Sequence, residues 1–171
     1  MGPVEIVFIV VILLFGAIGI VRGYQRELGV TAMLLIALFV LTFIEATFSD
    51  QVLALLGKVG VDEASADSVW ALIATGFLLI IAFISYQGIV LLFPGSGRNW
   101  FLSGLIGLTN GYLLAGSIWY YLAQADWPFG KVVPDYSQFY DLAVQLLPPA
   151  ILTWQYFIGL AVLMLILRVV K

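Results

Sequence analysis

Long apolar runs dominate this chain, and polar residues gather mainly in the stretches between them. A helix rises about 1.5 Å per residue, so roughly 20 apolar residues are needed to cross ~30 Å of hydrocarbon. Five runs come near or reach that length, and the pattern therefore predicts five transmembrane helices. The predicted spans cover residues 3–21, 28–48, 69–93, 101–123 and 151–170.

Two of the connections carry a shorter apolar pattern. Residues 136–147 place their apolar side chains largely on one side of a helix, which Pro148 and Pro149 then end. Residues 51–60 predict a second short helix, and both are expected to lie in the membrane interface. Because no change of composition marks a boundary, we predict one all-α membrane domain. Its parts are a four-helix core (1–123), an interfacial segment (124–150) and an added transmembrane helix (151–171).

Glycines recur at helical spacing in the first and fourth spans. The stretches GAIGIVRGY (16–24) and GLIGLTNGY (104–112) each hold three glycines, although glycine disfavours a helix by roughly 1 kcal/mol relative to alanine. A row of small residues on one helix face lets two backbones approach closely in lipid. We expect the two faces to pack on each other; the alternative is that each packs on a different neighbour. The glycines are Gly16, Gly19, Gly23, Gly104, Gly107 and Gly111.

Charged residues are distributed unequally between the two predicted sides of the membrane. One side holds five basic residues with Glu27 as its only acid, whereas the other holds two lysines and nine acids. Basic residues concentrate on the cytoplasmic side of membrane proteins. The charge pattern thus predicts an external amino terminus and a cytoplasmic carboxyl terminus, which agrees with five spans.

Aromatic residues cluster at the predicted outer ends of the helices. Tryptophan and tyrosine favour the membrane interface, so an anchoring belt is expected there. Stacking of these rings on a cofactor is the alternative interpretation. The tryptophans of the predicted outer belt are Trp70, Trp119, Trp127 and Trp154.

Composition narrows the chemistry further. The chain is 63% hydrophobic and 10% charged, and it contains no cysteine and no histidine. Such a chain is expected to be an integral membrane protein. It has no disulfide, no thiolate ligand for a metal, and neither the commonest metal ligand nor the commonest general base. We therefore predict no cofactor, no metal site and no catalytic residue.

Four charged residues, Arg22, Arg26, Glu27 and Arg98, are expected together at the cytoplasmic surface. An arginine paired with Glu27, or arginines bound to lipid phosphates, would give this cluster a function. The alternative is ordinary topogenic charge, which the distribution of basic residues already requires.

Three further polar residues suggest a path between the helices. Glu5 and Glu45 lie near the outer ends of neighbouring predicted spans, and Asn110 lies deep in the fourth. Acidic groups within a membrane can form a proton or cation site. The alternative is that both carboxylates reach the lipid headgroups and that Asn110 makes a hydrogen bond between helices.

Two stretches resemble signatures of a known family. GIVRGYQRELGV (19–30) is similar to the opening signature of the colicin V production protein (CvpA) family of bacterial membrane proteins, and RNWFLSGLIGLTNGYLL (98–114) to its second signature. The resemblance covers about residues 4–123. It implies a multi-pass protein of the bacterial inner membrane, linked to toxin production, secretion or envelope stress tolerance. The chain departs from the family at Asn110, where arginine is frequent, in its fifth helix, and in having no protease after the fourth span.

These observations favour a non-enzymatic accessory or scaffold protein that acts through helix–helix contacts. Its expected partners are the lipid bilayer and other integral membrane proteins, and not nucleic acid. One alternative is an accessory subunit of a large respiratory or photosynthetic membrane complex. Another is a small channel or transporter, although only neutral polar residues approach the predicted midplane.

Overall fold

The computed structural model describes residues 3–88, 91–94, 99–128 and 138–170. Within these ranges the chain is mainly helical and contains no strand, and four of its helices are long and apolar enough to cross a membrane. The structure thus agrees with an all-α protein embedded in a membrane. The helices are α1 (Pro3–Arg22), α2 (Tyr24–Lys58), α3 (Glu63–Gln87), α4 (Trp100–Gln124), α5 (Gln138–Gln145), α6 (Pro148–Ile151) and α7 (Trp154–Val169).

The central helix is α2, which packs against α3, α4 and α7. Leu34 and Leu38 on α2 are fully buried, together with Leu78 on α3 and Phe157 on α7. By contrast, α1 lies along α4 and has little contact with α2. The core is therefore built around α2, and α1 is held on one side by α4.

A single residue, Gly23, joins α1 to α2. Its φ of +89° is one that residues with a side chain rarely adopt, so glycine is required to turn the chain there. Apart from its own chain neighbours, no atom of the described residues lies within 4 Å of a Cβ built at this position. The prediction that Gly23 belongs to the packing face is thus wrong, because this glycine serves the turn. The end of the bundle at this turn is called the Gly23 end below.

The second predicted span and the short helix expected at 51–60 lie on the two sides of a kink within α2. The helix bends at Phe48, whose φ and ψ are −125° and 18°. Neither proline nor glycine interrupts residues 49–56, so helical hydrogen bonding resumes after the bend. The prediction of a short helix after the second span agrees with this, since residues 49–58 form a second helical stretch beyond the kink.

The third helix ends at Gln87, earlier than the predicted limit of residue 93. Gly88 has an extended conformation, and residues 91–94 are not helical. This segment lies against the start of α2, where the Phe93 N–H donates to the Gln25 carbonyl at 3.2 Å. A Cβ on Gly29 would overlap the Leu91 carbonyl, so glycine is needed for this close approach.

The fifth predicted span is divided in the structure. α6 covers Pro148–Ile151, Leu152 and Thr153 are extended, and α7 has 16 residues, about 24 Å of helix. α7 lies along α2: the Trp154 ring is 5.3 Å from Phe43, and Arg168 Nε donates to the Leu92 carbonyl at 3.3 Å. It therefore extends from the far end of the bundle, called the Trp154 end below, to the Gly23 end. The short helix α5 lies inside the predicted 136–147 segment.

Candidate functional site

The glycines of α1 and α4 meet along their lengths. A Cβ on Gly19 would overlap the Ser103 carbonyl and come within 2.9 Å of the Gly107 Cα, and a Cβ on Gly111 would lie 2.9 Å from the Ile12 Cα. Side chains are thus excluded where the two backbones touch. The direct contact expected between these faces is present, and its members, Gly16, Gly19, Gly104, Gly107 and Gly111, are called the glycine seam.

A buried polar network lies beside this seam at the Gly23 end. The turn at Gly23 places Arg22, the last residue of α1, next to Glu27 in the first turn of α2. The exposed N–H groups at a helix start favour a carboxylate in the first turn. Arg22 Nη1 donates to Glu27 Oε1 at 3.2 Å, so the local sequence RGYQRE is sufficient to build this ion pair.

The Glu27 carboxylate is 0% exposed and receives donors from two more helices. The Tyr86 hydroxyl of α3 donates to Oε2 at 2.9 Å, and Asn110 Nδ2 of α4 donates to the same oxygen at 2.9 Å. An ionised carboxylate accepts hydrogen bonds at about four positions, and three are used here. Side chains from all four long helices therefore meet at the Glu27 carboxylate: Glu27 itself is on α2, and its donors are on α1, α3 and α4.

Asn110 joins α4 to both the side chain and the backbone of α2. Its Nδ2 also donates to the Glu27 carbonyl at 3.1 Å, and its Oδ1 lies 2.7 Å from the Thr31 hydroxyl. Because both Glu27 atoms near Nδ2 are acceptors, this orientation of the amide is the one that avoids repulsion. Asn110 therefore links α4 to α2, in agreement with the hydrogen bond between helices expected of it.

Arg22 is held on two further sides. Its guanidinium carbon lies 4.4 Å from the centre of the Tyr86 ring, which is within cation–π distance. Its Nη2 is 3.4 Å from the Ser85 carbonyl. These contacts fix the arginine next to Glu27, and the five residues Arg22, Glu27, Thr31, Tyr86 and Asn110 are called the Glu27 network.

The donors in the Glu27 network determine what it can do chemically. All three groups that contact the carboxylate are N–H or O–H donors, so its oxygens face no second acid. No group of three metal-ligating side chains occurs among the described residues. The network resembles a buried ion pair whose polar atoms are satisfied, an arrangement that joins helices and specifies how they dock.

The expected surface cluster of Arg22, Arg26, Glu27 and Arg98 is only partly correct. Arg26 is exposed, as a surface charge should be, whereas Glu27 is fully buried and Arg22 is half-buried. Glu27 turns inward because it lies on the same face of α2 as Thr31, one helical turn away, and this face meets α4. Arg98 lies outside the described residues.

The path proposed from Glu5, Glu45 and Asn110 does not form. Asn110 contacts Glu27, and Glu45 is 18 positions further along α2, a distance of about 27 Å. Glu45 instead accepts from Trp70 Nε1 at 2.7 Å near the Trp154 end. Glu5 is buried, and α1 has little contact with α2. The three residues do not converge, because Asn110 lies at the Gly23 end and Glu45 lies near the Trp154 end.

One member of the predicted aromatic belt is buried. The Trp119 side chain is 3% exposed and lies between Phe8, at a ring distance of 5.1 Å, and Tyr140, at 5.4 Å. It is therefore a packing residue beneath α5. Trp70, Trp127 and Trp154 are half-buried, and Trp127 Nε1 donates to the Tyr140 hydroxyl at 3.1 Å.

The sequence did not indicate a site role for Tyr86 or Thr31. Both lie within mainly apolar helices, where an isolated hydroxyl group is common and does not by itself indicate a site. One signal was present: Asn110 lies between Gly107 and Gly111, so an amide next to a glycine face was bound to meet a neighbouring helix.

Comparison with known proteins gives no relative. No family model, no curated protein and no solved structure matches this chain. The resemblance to the colicin V production family thus rests on the two stretches at 19–30 and 98–114.

Proposed function

We propose that this protein is a non-enzymatic accessory or scaffold protein of the membrane, similar in kind to the colicin V production family, and that it acts through contacts with partner membrane proteins. The observation that carries the proposal is the single-sided packing of α1. Its seam with α4 leaves the other faces apolar and exposed, including Ile6, Val10 and Leu13. A helix held in this way offers a long surface to another membrane helix.

A lateral cleft enlarges this surface. Between α1 and α3 lies an apolar cleft of about 820 Å³, with α4 as its floor. Val7, Phe8 and Val11 line one wall, and Leu79 and Phe83 line the other. An intramembrane cleft with so little polar lining is suited to helix packing and poorly suited to ion passage.

The location proposed is the bacterial inner membrane, with roles in toxin production, secretion or envelope homeostasis, as the resemblance implies. A transporter is the second candidate, favoured by the buried Glu27 carboxylate, since ionisable groups inside membranes often mark transport pathways. A subunit of a large respiratory or photosynthetic complex would use the same surfaces and is a special case of the accessory role.

The accessory role is tested by purification from native membranes in mild detergent. We expect a particle well above the mass of the detergent-bound 18.7 kDa monomer, containing other membrane proteins. The variant Val7→Trp fills the cleft, so it should release those proteins while its thermal stability is retained. Val162→Trp on α7 is the matched control, because Val162 is also exposed but lies outside the cleft, and it should keep the partners.

An opposite result would favour transport. If the wild-type protein purifies alone and gives empty liposomes a saturable, gradient-dependent flux, the accessory role is wrong. Loss of that flux in Glu27→Gln, in protein that still elutes as a folded species, would then assign the buried carboxylate to the transported ion or proton.

We further propose five spans with an external amino terminus. α7 supports this because it extends along α2 to the Gly23 end, where Arg168 meets the 91–94 segment. A reporter fused after Lys171 should be cytoplasmic, and one inserted at Asp62 should be external. An external reporter at the carboxyl terminus would contradict the fifth span.

A further inference from the structure

A second carboxylate near the Trp154 end faces a cavity. The cavity has a volume of about 600 Å³ and lies between α2, α3, α4 and the start of α7. Glu45 lines it from α2, Trp70 from α3, and Tyr120 and Gln124 from α4. This volume is within the range of sites for small organic molecules and is far larger than a bare ion requires.

Glu45 differs from Glu27 in its surroundings. Its Oε1 accepts from Trp70 Nε1 at 2.7 Å, and its Oε2 is 3.5 Å from the Tyr121 hydroxyl, so both hydrogen-bond partners found among the described residues are neutral. In the described part of the chain no lysine or arginine forms an ion pair with Glu45, whereas Glu27 has Arg22. A half-buried carboxylate in these surroundings retains unused acceptor positions and lacks a counter-ion.

The charged groups of the lining are all negative among the described residues. Asp67 adds a second carboxylate, and the described residues around the cavity include no basic side chain. Trp70, Tyr120 and Trp154 contribute three aromatic rings, whose faces carry partial negative charge. A cation is thus the complementary ligand.

The balance of oxygen and aromatic groups distinguishes between types of cation. Hard metal ions require six or more oxygen ligands, whereas much of this lining is aromatic or aliphatic. Aromatic rings near a carboxylate suit a weakly hydrated organic ammonium group, which binds by cation–π attraction and charge pairing. We propose that this cavity, called the Glu45 cavity, binds an organic ammonium group, with Glu45 as its counter-ion and Trp154 as an aromatic wall.

An organic ammonium group can reach this site from two sources. A free small molecule with a quaternary ammonium group can enter the cavity, and so can the ammonium headgroup of a membrane lipid. The site is independent of the α1 surface proposed to contact partner proteins, because none of its lining residues lies on α1.

The experiment uses the purified full chain and two probes. Choline is titrated against the protein in an uncharged detergent with a headgroup that lacks an ammonium, and the thermal midpoint and tryptophan fluorescence are followed. The neutral carbon isostere of choline, 3,3-dimethyl-1-butanol, is titrated in parallel. For the lipid source, the thermal midpoint is compared in nanodiscs of phosphatidylglycerol with and without phosphatidylcholine of the same acyl chains.

The variants separate charge from shape. Glu45→Gln should weaken binding about tenfold or more, since it removes the counter-ion and keeps the size of the side chain. Asp50→Asn is the matched control, because Asp50 is an exposed carboxylate on the same helix that does not line the cavity, and it should bind as the wild type does. Trp154→Leu should weaken binding while leaving Glu45 and its hydrogen bonds in place, and Trp154→Phe should restore most of it.

Each outcome is decisive. Saturable binding of choline that depends on Glu45 supports a free organic cation as ligand, and stabilisation by phosphatidylcholine alone that depends on Glu45 supports a lipid headgroup. Equal binding of the neutral isostere overturns the proposal, as does a wild-type response to neither probe. If Glu45→Gln does not fold, the comparison of Trp154→Leu with Trp154→Phe decides, and equal responses from these two variants also overturn it.

Discussion

Replacing Glu27 with alanine is expected to lower the free energy of unfolding by about 3–5 kcal/mol, enough to prevent folding of a marginally stable protein. The change removes the acceptor of Arg22, Tyr86 and Asn110 together. The half-buried guanidinium of Arg22 is then left without its counter-ion, which accounts for most of the cost. Thermal unfolding in detergent, followed by circular dichroism or by size-exclusion chromatography after heating, measures the effect.

Two further variants separate the network from general charge effects. Glu27→Gln keeps the size of the side chain, but its amide N–H₂ group must face a donor from Arg22, Tyr86 or Asn110, so a large part of the loss should remain. Arg26→Ala removes an exposed charge from the same turn of α2 and should stay within about 0.5 kcal/mol of the wild type. Equal stability of Glu27→Ala and Arg26→Ala would mean that the network does not hold the helices together.

The second large effect is expected at the glycine seam. In Gly107→Ala the new methyl group would overlap the Phe15 carbonyl, and in Gly19→Ala it would overlap the Ser103 carbonyl. Backbone atoms cannot move aside as a flexible side chain can, so α1 and α4 must separate. We expect a loss of about 1–3 kcal/mol or more from each variant, measured by thermal unfolding in detergent.

The control for this prediction is the same substitution at open positions. At Gly76 on α3 and Gly159 on α7, no described atom beyond the helix's own nearby backbone lies within 4 Å of the place that a Cβ would occupy. Alanine favours the helix over glycine by up to about 1 kcal/mol, so Gly76→Ala and Gly159→Ala should be neutral or stabilising. If the seam variants behave like these controls, α1 does not depend on close backbone contact with α4.

The contact between the two glycine faces could be predicted from the sequence because it depends on local spacing. Residues three and four positions apart share a helix face, and small residues on such a face have few uses in lipid other than close packing. Gly19 and Gly107 could be assigned in this way without knowledge of any other helix. Gly23 has the same spacing but a different role, since α1 has already ended at the residue before it.

The Glu27 network could not be predicted in the same way. Glu27 lies between two arginines and the start of an apolar run, a setting typical of a charge at the membrane surface. Its burial depends on Tyr86 and Asn110, which are distant in sequence and reach it only after α3 and α4 have packed on α2. Hydropathy does not reveal this, because lipid-facing and core-facing positions in membrane helices are equally apolar.

The same limit explains why the sequence could not show that α2 is buried in the bundle and that α1 lies at its side. Both are strongly apolar, yet most of the apolar window of α2 is buried inside the protein and little of that of α1 is. For Trp119 the sequence indicated an interfacial position but not the neighbours Phe8 and Tyr140 that cover it. The sequence thus predicts how deep a residue lies along its helix. It does not predict whether the side chain faces lipid or another helix, because that depends on how the helices pack.

The packing of α1 on α4 also affects how the protein is made. Glu27 and Asn110 are 83 positions apart, so α1 and α2 enter the membrane before their shared partner has been synthesised. At 5–20 residues per second this interval is roughly 4–17 s. During that time the glycine face of α1 lacks the α4 backbone that covers it in the folded protein, and the turn at Gly23 keeps α1 joined to α2. Insertion of the helices therefore precedes their docking, and the arrival of α4 completes both the seam and the network.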